Sequence, residues 1–155
     1  IQLPDLDLED DNDYEYIWAM VDSGAGANVA RREHMPHSRR ARSAPRISLT
    51  IANGDALPNR GARTVTCYDR SGSKCDRLFY EAPVEMPILS VTELSKEGDS
   101  GSEVRFRIKD GEIIDLATGK KCHFVKRMGV YFMRLYFPKS SGGPDNDAGF
   151  GRQDR

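Results

Sequence analysis

Acid/base chemistry needs a carboxylate delivered to a defined place. The run "AMVDSGAGANVA", Ala19 to Ala30, offers one at Asp22. An apolar, β-prone segment, Tyr16 to Val21, leads straight into it. Gly24 and Ala25 follow, small enough for backbone to approach closely, and Val29 returns the chain to a core. The Asp22 side chain would then emerge from a packed sheet onto a turn kept free of bulk. The same tripeptide recurs at Asp99-Ser100-Gly101, where no apolar strand leads in and no apolar residue follows. That copy reads as a solvated turn. The competing reading of Asp22 is a strand-ending aspartate that caps its own turn.

Other residues with chemical potential are less well set. His34 and His37 form an H-x-x-H pair, but Pro36 between them argues against a helical metal site, so they read as loop residues and no metal is expected. Cys122-His123 with Cys67 or Cys75 matches no zinc spacing, and the three cysteines read as reduced and structural. Trp18 reads as core.

The elements that must position Asp22 are mostly strands. In "ISLTIANGDALPNRGARTVTCYD", Ile47, Leu49 and Ile51 alternate with polar partners, as on a half-buried strand. Asn53-Gly54 suits a tight hairpin turn, and Thr64 to Tyr68 supplies the return, interrupted by Pro58 and Gly61. A further strand is expected through Arg77 to Tyr80. "MPILSVTELSKEG" reads as strand into short helix, with Ser90 and Glu93 at capping-box spacing and Gly98 as the stop. "EVRFRIKDGEIIDLATGKKCHF" reads as a meander: Val104, Phe106 and Ile108 alternate, and turns are expected at Asp110-Gly111 and Thr118-Gly119. A last strand is expected near Val130 to Phe137. The whole reads as one mostly-β domain with a single short helix, spanning 16–137, after an acidic linker, 1–15, and before a disordered tail, 138–155.

Charge nearly cancels overall, with 23 Lys+Arg against 24 Asp+Glu, but it is unevenly spread. Seven acids and no base fall within the first fifteen residues. A basic loop, 31–46, carries Arg31, Arg32, Arg39, Arg40, Arg42 and Arg46. Such blocks are usually solvated. The alternatives are polyanion binding by the loop, or attraction between the two segments. The loop lacks interleaved aromatics to stack on bases, which ranks a nucleic-acid module last among the functional readings. An odd cysteine count, no apolar run of membrane-spanning length and no signal peptide point to a reducing, cytoplasmic setting. Starting at Ile1 rather than Met, the chain reads as a piece of a longer polypeptide.

An apolar strand, Asp-Ser-Gly-Ala, a Gly-tipped hairpin and a later apolar Pro-Ile-Leu-Ser leading into a short helix form an ordered set. On these residues the chain resembles the retropepsin-like aspartic proteases, and among them the protease segment of copia-type retrotransposon Gag-Pol polyproteins. Val21 to Ala25 with Asn28-Val29 carries the likeness. Thr50 to Val65 is similar to the flap and its return strand, and Met86 to Gly98 to the strand and helix that close the fold. The likeness covers about Tyr16 to Met133.

The resemblance implies a closed β-barrel of the acid protease type and an aspartic endopeptidase that processes its own polyprotein, without cofactor. Peptide hydrolysis by carboxylates takes two of them, one ionised and one protonated. Two carboxyls about 3 Å apart cannot both ionise, so they share a proton. With one such aspartate per chain, the resemblance implies a homodimer, Asp22 facing its twin across a two-fold axis. Asp22 would be the acid/base, Ser23 would bond across the dimer, and Gly24 would bring its N–H to the carboxylates. Ala52, Asn53, Gly54 and Asp55 would form the flap tip. Ala25, Gly26, Ala27, Asn28, Ile51 and Ile88 would line the substrate site, with Val29 as a further pocket wall or plain core. Two departures stand out. Gly26 and Ala27 occupy positions where many retropepsins carry substrate-binding acids, and Ser90 stands where many have Gly. The reading from another class is an inactive domain of the same fold that binds peptides or dimerises.

Overall fold

A computed structural model describes residues 7–51 and 53–139. Its architecture is mostly β with one short helix. Twelve strands follow in chain order: β1 (Tyr14–Asp22), β2 (Val29–Ala30), β3 (Arg39–Arg40), β4 (Leu49–Thr50), β5 (Ala56–Leu57), β6 (Ala62–Tyr68), β7 (Lys74–Glu81), β8 (Ile88–Ser90), β9 (Ser102–Phe106), β10 (Asp110–Asp115), β11 (Lys121–Arg127) and β12 (Val130–Pro138). Helix α1 (Val91–Leu94) sits between β8 and β9.

Ten strands form one sheet in the order β3-β6-β7-β2-β8-β1-β12-β11-β10-β9. A further pairing, Tyr136 of β12 with Tyr68 of β6, closes a hydrogen-bonded ring through six of them: β6, β7, β2, β8, β1 and β12. Strand β1 lies at the centre of this arrangement. It runs antiparallel to β12 from Tyr14↔Pro138 to Val21↔Tyr131, and parallel to β8 at its carboxyl end.

The alternation of β1 explains its place. Ala19 and Val21 point into a core with Val65, Cys67, Phe79, Leu89, Leu94, Phe124, Met133, Leu135 and Phe137, and Ile17 packs against it. Tyr16 and Trp18 face the other way. The Arg134 guanidinium lies over both rings, 4.6 Å and 4.9 Å from their centres. Trp18, expected in the core, is therefore half-buried beneath a cation, because strand parity sets it opposite Ala19.

Three expectations are corrected at the level of elements. The described part of the acidic segment does not hang free. Leu8 is buried, its N–H donates to Arg70 O at 2.8 Å, and Arg70 holds Asp7 through two bonds of 2.9 and 3.1 Å. The last strand passes the expected boundary to Pro138, and Lys139 N donates to Asp13 O at 2.8 Å. Most of the expected tail, 140–155, and residues 1–6 lie outside the described residues. Asp110-Gly111 is not a turn. Gly111 is paired within β10, opposite Phe106 and Phe124. A Cβ there would overlap the Phe124 ring and come within 2.6 Å of Arg105 O, so this glycine serves close packing. The turn falls earlier, leaving Ile108 84% exposed. Thr118-Gly119 does turn, with Gly119 at φ +77°.

Candidate active site

Asp22 is the last residue of β1, in register with Ser90 at the end of parallel β8. Its Oδ1 accepts the backbone N–H of Gly24 at 2.8 Å, and Ala25 N donates to Asp22 O at 3.5 Å. The carboxylate thus caps its own turn, as the competing reading holds, and the cap uses one of its two oxygens. Among the described residues, no Lys, Arg or His pairs with Asp22. A Cβ on Gly24 would lie 3.4 Å from that same Oδ1, so the small residue keeps space beside the carboxylate open. Ser23, Gly24 and Gly26 are exposed, Asp22, Ala25 and Ala27 are partly so, and a Cβ on Gly26 would meet nothing within 4 Å.

The turn is pinned from beneath by two buried polar side chains. Asn28 is 3% exposed. Its Nδ2 donates to Leu78 O at 3.1 Å, and its Oδ1 accepts Ser90 N at 2.8 Å. Ser90 is fully buried. Its Oγ donates to Ala25 O at 2.8 Å and accepts Glu93 N at 3.3 Å, which caps α1. One hydroxyl thereby ties the Asp22 turn to the helix. Asn28, expected beside substrate, instead has both ends of its amide bonded to backbone, because its chain position falls beneath the turn. Val29 is buried between Tyr80 of β7 and Ile88 of β8, and Ile88 also pairs with Met20. Val29 is therefore core, and Ile88 keeps partial exposure. The tie through Asn28 and Ser90 joins segments too far apart for the sequence to show it. Its one trace in the sequence is the capping spacing of Ser90 and Glu93.

The expected flap is a separate hairpin. Leu49 pairs with Leu57 and Thr50 with Ala56 in a two-stranded sheet of their own. At its end Ile51 N donates to Asp55 O at 3.0 Å, Gly54 N donates to Ile51 O at 2.9 Å, and Gly54 takes φ +92°. Asn53 and Asp55 bond each other twice, at 2.8 and 3.1 Å. Ile51, Asn53, Gly54 and Asp55 are all exposed, and Ala52 lies outside the described residues. The return strand does not continue from the hairpin. Gly61, at φ +109°, separates β5 from β6, and β6 joins the main sheet. The base is held by Asn59, whose Nδ2 donates to Ile47 O at 2.9 Å. The arrangement is an exposed arm on an anchored base, the form a cover needs.

Asp99 lies exposed in a turn after α1 and belongs to no strand. The two copies of the tripeptide therefore differ as their flanks predict. Burial pushes the thiols of Cys75 and Cys122 up to about 12, so neither offers a thiolate near neutral pH. Among the described residues no helix is long and apolar enough to cross a membrane, and no group of three or more metal-ligating side chains gathers. Comparison of the chain with protein-family models, with curated proteins and with solved structures finds no match.

Proposed function

We propose that this chain is one subunit of a homodimeric aspartic endopeptidase of the retropepsin type, acting on a retrotransposon polyprotein. One observation carries the reading. Asp22 ends a buried strand on a small-residue turn, with one oxygen held by Gly24 N–H, no described cation beside it, and the turn pinned by Ser90. A solvated turn such as that of Asp99 needs none of this support. The ring of strands supports a closed acid-protease barrel, and the hairpin 49–57 supports a flap.

In the dimer, two Asp22 carboxyls would hold one proton between them. The ionised member takes a proton from water as the oxygen attacks the scissile carbonyl carbon. The protonated member donates to the carbonyl oxygen. Collapse of the tetrahedral intermediate moves a proton to the leaving amine. Ser23 would brace the two turns against each other, and the flap would cover an extended peptide bound by strand addition. A second reading is favoured by Gly26 and Ala27, which bring no carboxylate to the substrate backbone: the same dimer binding peptides without cleaving them.

The test is cleavage of a peptide library at mildly acidic pH, with pepstatin inhibition and the Asp22→Asn variant. The proposal expects cleavage in the parent chain and its loss in both controls. Turnover that survives Asp22→Asn, or a chain that stays monomeric at every concentration, eliminates the enzyme. Peptide binding by a dimer without turnover selects the second reading.

A further inference from the structure

In the arginine loop Arg31 pairs with Glu33 at 4.0 Å, while Arg40, Arg42 and Arg46 meet no acidic side chain among the described residues. Two acids of the amino-terminal segment, which attraction between the segments would bring to the loop, pair elsewhere: Asp7 and Glu9 with Arg70, and Glu9 also with Arg134 at 2.8 Å. The loop folds instead against the base of the flap, around a cleft of about 590 Å³. Arg40, Arg42, Arg46 and Arg60 line this cleft, and no Asp or Glu does. None of the four guanidiniums has a hydrogen bond or ion pair with a described residue. The backbone that carries them is nevertheless tied down. Ala41 N donates to Ala62 O at 2.9 Å, Arg60 N to Glu81 O at 2.8 Å, and Tyr80 Oη to Pro45 O at 2.6 Å. Four like charges are thus held around one concavity with no acidic residue among the described residues that line it. The larger cleft, of about 790 Å³, is different: Arg70 and Arg134 share its walls with Asp7 and Asp69.

We propose that the arginine cleft binds the phosphate backbone of single-stranded nucleic acid, without reading its sequence. The guanidinium fork matches a pair of phosphate oxygens. Among the described residues the only aromatic lining the cleft is Tyr80, which is buried with its hydroxyl engaged, so bases find no stacking platform there. Contact is then confined to phosphates. Every nucleotide brings one, whereas an extended acidic peptide turns alternate side chains away. A single strand can follow a concave wall that a stiff duplex does not enter.

The test is fluorescence anisotropy of a labelled mixed-sequence single-stranded RNA, titrated with the wild-type chain across a salt series. Neutralising four phosphates on a single strand gives a slope of log K against log salt of about −3. Each single change, Arg40→Gln, Arg42→Gln, Arg46→Gln or Arg60→Gln, should lower its magnitude by about 0.7, and the fourfold variant should lose binding. The triple variant Lys120→Gln, Lys121→Gln, Arg127→Gln removes charge from the other cleft and should leave the slope unchanged. Circular dichroism checks folding, and the four single variants carry the test if the fourfold variant fails to fold. Absence of binding at low salt, or an equal loss in the triple variant, overturns the proposal. So does tighter binding of duplex than of single strand, or displacement of the RNA by polyglutamate at equal charge. Proteolysis enters none of these readouts, so the result is independent of Asp22.

Discussion

Ser90 Oγ donates to the carbonyl oxygen of Ala25 at 2.8 Å, joining residues 65 apart in sequence. That bond fixes the turn on which Asp22 stands to the strand and helix that lie beside it. A glycine at position 90 could not make it, so the departure noted in the sequence has a structural use here.

Ser90→Ala should therefore destabilise the fold by about 1–2 kcal/mol, since it leaves a part-buried carbonyl without its donor and removes a helix cap. Urea denaturation reads the loss. If the chain cleaves peptides, turnover should fall further than stability alone requires, because the Asp22 turn loosens. A variant as stable and as active as the parent would show that the tie is dispensable.

Asp22→Asn should leave urea stability within about 0.5 kcal/mol, as expected of a change that leaves the shape of an exposed turn alone. Cleavage should drop by at least about 10²-fold, the usual contribution of one acid/base group. The two readouts together separate a catalytic aspartate from a capping one. A large loss of stability with little change in turnover would assign Asp22 to the turn alone.

Gly26→Asp adds a carboxylate at the position where, under the protease reading, substrate backbone would lie. Nothing lies within 4 Å of a Cβ built there, so the fold should accept it with a stability change of about 0.5 kcal/mol or less. Under the protease reading, KM for an extended peptide should fall while kcat changes little. An unchanged KM would place the substrate backbone elsewhere.

Gly111→Ala tests the close approach of Phe124. The added methyl meets both the ring and Arg105 O, and overpacking of this kind costs about 3 kcal/mol. The equivalent change at Gly119, where a Cβ meets nothing within 4 Å but φ is +77°, should cost about 1 kcal/mol from backbone strain alone. Equal effects at the two sites would contradict the packing argument.

Acid should weaken the β9–β11 end of the sheet. The Arg107 guanidinium, 2.6 Å from the buried Glu112 carboxylate, holds that group below its ordinary value of 4.5. A depressed folded value means that the stabilisation is present above the unfolded value and is lost as pH falls through the folded one. Thermal denaturation should therefore show Tm falling as pH drops below about 4.5, with a shallower fall in Glu112→Gln. A Tm profile identical in the two chains would remove Glu112 from the account.

The strand that carries Asp22, the contrast with Asp99, the Ser90 cap and the break at Gly61 are all legible in the order of residues. All four are local: apolar alternation, turn chemistry and cap spacing act within a few residues. What those elements meet is set by the three-dimensional fold. The Asn28–Ser90–Ala25 tie, the Arg134 guanidinium over Trp18 and the arginine cleft all join segments far apart in the chain. Asp110-Gly111 looked like a turn because the dipeptide favours one. It is strand because a ring from Phe124, thirteen residues on, needs the room a side chain would take. Local preference is weak, a few tenths of a kcal/mol to about 1 kcal/mol per residue, and a clash or a buried unpaired group outweighs it.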